Sequence, residues 1–143
     1  MQEKTLLMIK PDGVVRGLEA EILARVTKAG LQIIKQQQLK LTEELAAEHY
    51  LIHQGKPFYP GLIKFITSGP VLACIVQGED AIAKLRDVMG ATNPEEAAAG
   101  TIRGDLKEEN IRTPEGTIKN LVHGSDSLES AEREIAIYFG GNK

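Results

Sequence analysis

A four-stranded antiparallel sheet covered by helices, of the α/β (α+β sandwich) class, is what the sequence predicts. Four short apolar, β-branched stretches alternate with amphipathic ones. They fall into two successive strand–helix–strand units. The third stretch, Val71 to Val76, is apolar on both faces, as a strand inside a sheet must be. Two such units in one chain give the split βαβ, ferredoxin-like arrangement. Neither an internal repeat nor a linker interrupts the 143 residues, so residues 1–143 are expected to form a single domain.

Thr5 to Lys10 is apolar and stops at Pro11-Asp12-Gly13, a strand ended by a turn signal. Glu19 to Ala29 carries Ile22, Leu23 and Val26 at helical spacing, with Gly30 as its stop. Leu31 to Leu41 reads as the second strand. Thr42 is placed to cap a helix running to about His53, which Gly55 and Pro57 end. Pro60 to Ile66 predicts a short helix closed by Ser68-Gly69-Pro70. Asp80 to Met89 predicts another, with Glu79-Asp80 as an acidic cap, Ile82, Leu85 and Met89 inward, and Gly90 as its stop.

From Ala91 to Ile118 the apolar pattern thins into a long polar stretch, and long loops in small domains often carry function. Lys119 to Val122 is the expected fourth strand. Asp126-Ser127-Leu128-Glu129 resembles a capping box opening a helix from Ser127 to Phe139, with Leu128, Ala131, Ile135 and Tyr138 on one side.

Composition narrows the function. Apolar residues make up 42% of the chain, enough for a core, and the net charge is −3. No run approaches the roughly 20 apolar residues that span a bilayer. The start, Met-Gln-Glu-Lys-Thr, lacks the basic-then-apolar order of a signal peptide. A mildly acidic chain without charge blocks makes nucleic acid unlikely as the primary partner. Cys74 is the lone cysteine, so neither an internal disulfide nor a multi-cysteine metal site can form. A reducing, cytoplasmic setting is expected, with Cys74 in the core. The common phosphate-binding glycine loops, the Gly-x-Ser-x-Gly elbow and the His-Glu-x-x-His helix are all absent.

The residues left to carry chemistry are few. His123 stands where a strand meets Gly124 and a helix start, a junction that exposes a side chain beside free N–H groups. Neutral imidazole is a competent nucleophile near neutral pH. Glu134 lies at the margin of the last helix's apolar stripe, within reach of a ring nitrogen of His123; it reads equally as a solvated charge beside Arg133. Lys10, Arg86 and Arg103 could grip phosphates, for which the guanidinium fork is well suited, although spacing alone does not bring them together. Phe58, on a loop flanked by Pro57 and Pro60, could stack on a base.

Along essentially its whole length the chain resembles the nucleoside diphosphate kinase family. The matching segments, in order, are 5–14 (Thr-Leu-Leu-Met-Ile-Lys-Pro-Asp-Gly-Val), Arg16-Gly17-Leu18, His49-Tyr50, Lys56-Pro57-Phe58 and Ser68-Gly69-Pro70-Val71. They continue with Gly90-Ala91-Thr92-Asn93-Pro94, Gly100-Thr101-Ile102-Arg103-Gly104-Asp105, 120–127 (Asn-Leu-Val-His-Gly-Ser-Asp-Ser) and Arg133-Glu134-Ile135. The resemblance implies transfer of the terminal phosphoryl group between nucleoside tri- and diphosphates through a phosphohistidine at His123. Glu134 would hold the other ring nitrogen, helped by Ser125, with Tyr50 beside the reactive ring. Lys10 and Asn120 would bond the ribose hydroxyls, and Lys10 would also serve the transferring phosphate. Arg86, Thr92 and Arg103 would grip the outer phosphates, and His53 would contact a phosphate. Phe58 would stack on the base with Leu62 near its other side. Mg2+ would ride on the nucleotide phosphates rather than in a protein cage. The resemblance further implies a homo-oligomer, a hexamer in preference to a tetramer, and acceptance of many bases.

Three departures stand out. The segment from Leu106 to Lys119, with Lys107-Glu108-Glu109-Asn110 and Pro114-Glu115-Gly116, is longer than such proteins usually carry, which long-loop entropy tolerates. Ala99 replaces a usual proline, and Val76-Gln77 a common Trp-Glu pair. All the catalytic positions are filled, whereas a non-catalytic nucleotide-binding module of the same fold would be marked by loss of His123 or Lys10.

Overall fold

The computed structural model describes residues 2–114 and 116–140, the side chain of Ile52 excepted, so Glu115 of the long segment lies outside the described residues. Gln2–Ile9 (β1), Gln32–Lys40 (β2), Pro70–Glu79 (β3) and Val122–Gly124 (β4) form one antiparallel sheet in the order β2-β3-β1-β4. This is the expected split βαβ order. Pairing is in step along β1, from Gln2 opposite Glu79 to Ile9 opposite Leu72.

Both faces of the sheet are covered, which is why β1 and β3 read as continuous apolar runs rather than alternating ones. Leu7, Ile9, Cys74, Val76 and Val122 point to one face, against Glu19–Lys28 (α2) and Ala81–Met89 (α5). Leu6, Met8, Val71 and Ala73 point to the other, against Glu43–His49 (α3), Tyr59–Ile66 (α4) and Leu128–Phe139 (α7). Two further short helices, Pro11–Val15 (α1) and Ile102–Leu106 (α6), flank the first face. Cys74 is fully buried, and burial pushes its thiol up to about 12.

Several expectations shift by identifiable causes. The β2 stretch holds two consecutive isoleucines, which cannot both face inward on a pleat. A bulge between Ile33 and Lys35 resolves this and leaves Ile34 exposed. Thr42 caps α3 as expected, accepting the N–H of Leu45, but the helix ends at His49 and continues as a 3-10 turn, Leu51–His53. Asp80 does not cap α5 through its side chain; the carboxylate of Glu3, on β1, takes the N–H of Ile82 instead. Within α5, Leu85 and Met89 are buried with Ala81, while Ile82 is only half-buried. Ser127 caps α7 through the N–H of Ser130, but Leu128 is exposed rather than inward.

The stretch 91–118 is not a single loop. Thr101 caps α6 through the N–H of Gly104, and Arg25 reaches from α2 to Asp105 at 2.8 Å. Arg112 and Ile118 then pair in an isolated antiparallel bridge, so the long segment folds back on itself as a small hairpin. The fourth strand begins at Val122, not Lys119, because Leu121 turns the chain with φ at +73°.

Candidate active site

The antiparallel pairing of β1 and β4 builds the site. Met8 lies opposite His123 and Ile9 opposite Val122, so the residues just beyond each strand, Lys10 and Asn120, meet at the same end of the sheet. The ammonium of Lys10 donates to Asn120 Oδ1 at 2.9 Å, and the backbone N–H of Lys10 donates to the Leu121 carbonyl at 2.8 Å. Both side chains are buried. Burial, reinforced by the charge of Arg103 and opposed by Asp12, lowers the Lys10 ammonium to about 8. Gly124, next after His123, lets α5 approach: a Cβ there would meet Met89 Sδ at 2.7 Å.

His123 is one-fifth exposed, and its Nε2 lies 2.8 Å from Glu134 Oε1. Ser125, fully buried, donates its hydroxyl to the same oxygen at 2.7 Å. Burial alone would raise the Glu134 carboxyl; hydrogen bonds from His123 and Ser125, the charge His123 carries when protonated and that of Arg133 outweigh it and hold the carboxyl below its ordinary value. An ionised carboxylate only accepts, so the proton between the two groups sits on His123 Nε2. That leaves the Nδ1 lone pair free. Glu134 is buried on α7 rather than solvated at its flank.

Around His123 a cleft of about 520 Å³ is lined by Lys10, Tyr50, His53, Arg86, Thr92, Arg103, Asn120 and Glu134, among others. The three expected phosphate-gripping cations therefore converge, although they are far apart in sequence. Arg103 is buried and largely occupied: its guanidinium donates to the carbonyls of Asn120 (3.0 Å), Gly90 (3.0 Å) and Val122 (2.7 Å). Three of its five N–H groups thus hold backbone and two remain. Burial, with Arg86 nearby, lowers it to about 10, so it stays charged at neutral pH. Arg86 and Thr92 are exposed, and the Thr92 carbonyl accepts from the Asn120 amide at 3.1 Å.

Phe58 and Leu62 do not line this cleft. Phe58 is half-exposed at the start of α4, with its ring 5.3 Å from that of His53 and the Lys56 ammonium 5.8 Å over it. Tyr50 is buried, its hydroxyl has no hydrogen-bond partner among the described residues, and burial raises it strongly. Its ring packs on His49, at 4.5 Å, and on His53.

His49 is the residue that sequence reasoning passed over. It is buried, stacks edge-on against His123 with centroids 4.6 Å apart, and sits 3.9 Å from Glu134. Only its neighbour Tyr50 was singled out, because a histidine inside a helix expected to run to about His53 looks like an ordinary core residue. His49, His123 and Glu134 could converge on a cation, with ligand atoms within 4.8 Å of one another. Lys10 and Arg133 surround them with positive charge, however, so the site suits an anion.

The sequence pattern of nucleoside diphosphate kinases matches residues 3–143. The chain belongs to the nucleoside diphosphate kinase family. A nucleoside diphosphate kinase of Moorella thermoacetica is 55% identical over 137 residues, covering 96% of this chain and 94% of that one. One from Mycobacterium tuberculosis is 53% identical over 142 residues, covering 99% of each. Among solved structures, a transition state mimic of the Borrelia burgdorferi enzyme with vanadate and ADP superposes with a TM-score of 0.91 at 36% identity, covering 99% of this chain and 89% of that one. The Halobacterium salinarum enzyme with CDP gives 0.88 at 45% identity, covering 97% and 88%. The sheet order and helices described above are the fold of this family, and the chain is a nucleoside diphosphate kinase in activity, a phosphotransferase acting on nucleotides.

Proposed function

We propose that this enzyme transfers the phosphoryl group in two steps through His123 Nδ1. The observation that carries the reading is the bond from His123 Nε2 to a carboxylate that Ser125 also holds, which fixes one tautomer and leaves Nδ1 as the nucleophile. In the first step the Nδ1 lone pair forms a bond to the terminal phosphorus of a nucleoside triphosphate. The bond from that phosphorus to the bridging oxygen breaks, and the diphosphate leaves with the electron pair. In the second, the terminal oxygen of another diphosphate attacks the phosphorus and the N–P bond breaks.

Positioning and charge neutralisation do most of the work in such transfers. Lys10, Arg86 and Arg103 supply fixed positive charge, Thr92 and His53 flank the phosphate path, and Asn120 and Lys10 reach the ribose. The cleft is lined by Lys10, Arg86, Arg103 and Arg133 beside Asp87, Asp126 and Glu134; Mg2+ would arrive with the nucleotide and would neutralise phosphate charge there. Phe58 is exposed and aromatic, with Leu62 on the same short helix. A stacking ring without base-edge readout suits many bases. The family resemblance supports a homo-oligomer, hexameric rather than tetrameric. The lone buried thiol and the absence, among the described residues, of any helix long and apolar enough to cross a membrane accord with work in the cytoplasm.

The test is to incubate the protein with γ-labelled ATP and Mg2+ without acceptor, beside His123→Ala. Acid-labile, alkali-stable label is expected on the unaltered protein only, and GDP or CDP should discharge it. ATP binding without label would leave only a nucleotide-binding module.

A further inference from the structure

Glu134 has two carboxylate oxygens, and the mechanism above uses one. Oε1 takes the hydrogen bonds from His123 and Ser125. Oε2 faces His49, whose Nε2 lies 3.9 Å away, and Arg133, whose Nη2 lies at 3.8 Å. His49 Nε2 is buried and has no hydrogen-bond partner among the described residues. Its other nitrogen, Nδ1, is 2.6 Å from the hydroxyl of Tyr138.

The tautomer of His49 follows from these partners. Burial first, then the charge His123 carries when protonated and those of Lys10 and Arg133, pushes the imidazole far below its ordinary value, so the ring is neutral. Burial raises the Tyr138 phenol strongly, so its hydroxyl keeps its proton and can donate to Nδ1. The ring proton then sits on Nε2, where it points toward Glu134 Oε2. The opposite tautomer would turn a lone pair toward a carboxylate in a buried site, which is repulsive. Arg133 secures the same element from outside: it donates to the carbonyls of Glu48 and His49 at 2.9 and 3.1 Å, joining the end of α3 to α7.

We infer that Tyr138 and His49 form a positioning relay for the nucleophile, in which Tyr138 sets the His49 tautomer and the His49 N–H, with its ring edge against His123, orients the Glu134 carboxylate. This rests on His123 being the residue phosphorylated. His49 and Tyr138 are thus positioning residues; neither forms nor breaks a bond in the transfer. A gap of 3.9 Å at rest exceeds a hydrogen bond and closes by a small shift of the carboxylate, as catalytic contacts often tighten only in the reacting complex.

The test measures two quantities on the full-length enzyme: the single-turnover rate of labelling from γ-labelled MgATP, and ADP affinity by calorimetry. His49→Leu fills the space without a donor and should slow labelling by about ten- to a hundredfold, the range a misplaced reacting group costs, while ADP affinity stays put. His49→Gln keeps an N–H near the Nε2 position and should recover most of that loss. Tyr138→Phe should fall between Leu and the unaltered protein. Equal rates for Leu and the unaltered enzyme, equal losses in Leu and Gln, or losses matched by weaker ADP binding would each overturn the relay. Should His49→Leu not fold, Tyr138→Phe decides, and labelling at the unaltered rate overturns the inference. Absence of label at His123 in the unaltered enzyme would instead sink the assignment of the nucleophile.

Discussion

The carboxylate of Asp12 accepts the backbone N–H of Leu121 at 2.9 Å, joining positions 109 residues apart in sequence. Leu121 is fully buried yet has φ at +73°, a region that a side chain of its size avoids at a cost of order 1–3 kcal/mol. The turn it makes is what sends Asn120 to Lys10 and lets β4 begin at Val122. Asp12 therefore holds a strained backbone one residue from Asn120, the amide that Lys10 bonds.

Replacing Asp12 by Ala should cost about 1–3 kcal/mol, since it orphans the buried N–H of Leu121. It should also slow labelling of His123, because Asn120 loses its footing. Asp12→Asn keeps an acceptor and should fare better on both counts. Urea unfolding read with a labelling assay checks this; an unchanged midpoint in Asp12→Ala would mean that Arg103 holds the turn without help.

Arg103 makes the complementary case. Its three bonds to the carbonyls of Asn120, Gly90 and Val122 need a planar fork of donors aimed in three directions. A lysine ammonium cannot span them. Arg103→Lys keeps the charge for phosphates, yet it is expected to lose about 3–6 kcal/mol of stability, two charged hydrogen bonds' worth at about 1.5–3 kcal/mol each. If charge alone mattered, melting temperature would hold while only Arg103→Ala suffered.

This dual duty explains what the sequence could and could not say. His123 and Lys10 read as strand-end residues, and strand ends are legible from apolar runs and turn residues; Asn120 falls inside the expected strand 119–122 and is singled out only through the family resemblance. Their partners were not legible from spacing. Arg103 reads as one surface charge among several until the fold shows it buried, and His49 falls inside a helix expected to run on to about His53. Leu128 misled for a related reason: helical spacing assigns it to the inner face, but it sits in the first turn of α7, beyond the sheet that would cover it. The long polar stretch after Met89 concealed α6 because its apolar content is just Ile102 and Leu106, too few to show a period.

Lys10 gives a pH prediction. Its ammonium sits at about 8 in the folded protein against 10.5 unfolded, burial being the main cause and Arg103 the second. The unfolded state binds more protons between these values, so burying the charge destabilises the fold fully below about pH 8 and the penalty fades as pH rises toward 10.5. Nucleotide binding should run the other way. Phosphates need the ammonium, so ADP affinity should fall above about pH 8, by up to about tenfold per pH unit. Lys10→Arg should abolish that limb. A flat profile to pH 9.5 in the unaltered enzyme would show that Lys10 gives the phosphates no charge.

Phe58 tests the base site. Stacking contributes about 1–3 kcal/mol per base, so Phe58→Ala should weaken ADP, GDP and CDP alike by roughly tenfold or more while leaving the labelling rate at saturating ATP unchanged. A loss confined to purines would mean that the ring reads more than a π-face, and no loss for any would place the base elsewhere.

Ser125 tests the charge on Glu134. Its hydroxyl is fully buried, donates to the oxygen that also takes the His123 N–H, and accepts the backbone N–H of Leu6 at 3.4 Å, while its own backbone N–H bonds the Leu6 carbonyl at 3.2 Å whatever the side chain. Ser125→Ala should keep that last bond, cost some stability by orphaning the Leu6 N–H, and lose one of the bonds that hold Glu134 below its ordinary value. A depressed carboxyl stabilises the fold above its unfolded value, and that stabilisation is lost as pH falls through the folded one. With the bond gone the carboxyl rises toward the value burial favours. The acid limb of His123 labelling should then move to higher pH, and acid unfolding should begin earlier, with the rate at neutral pH reduced less than at pH 5. If the limb stays where it was, His123 and Arg133 alone keep the carboxylate ionised, and the hydroxyl serves only to hold the Leu6 N–H.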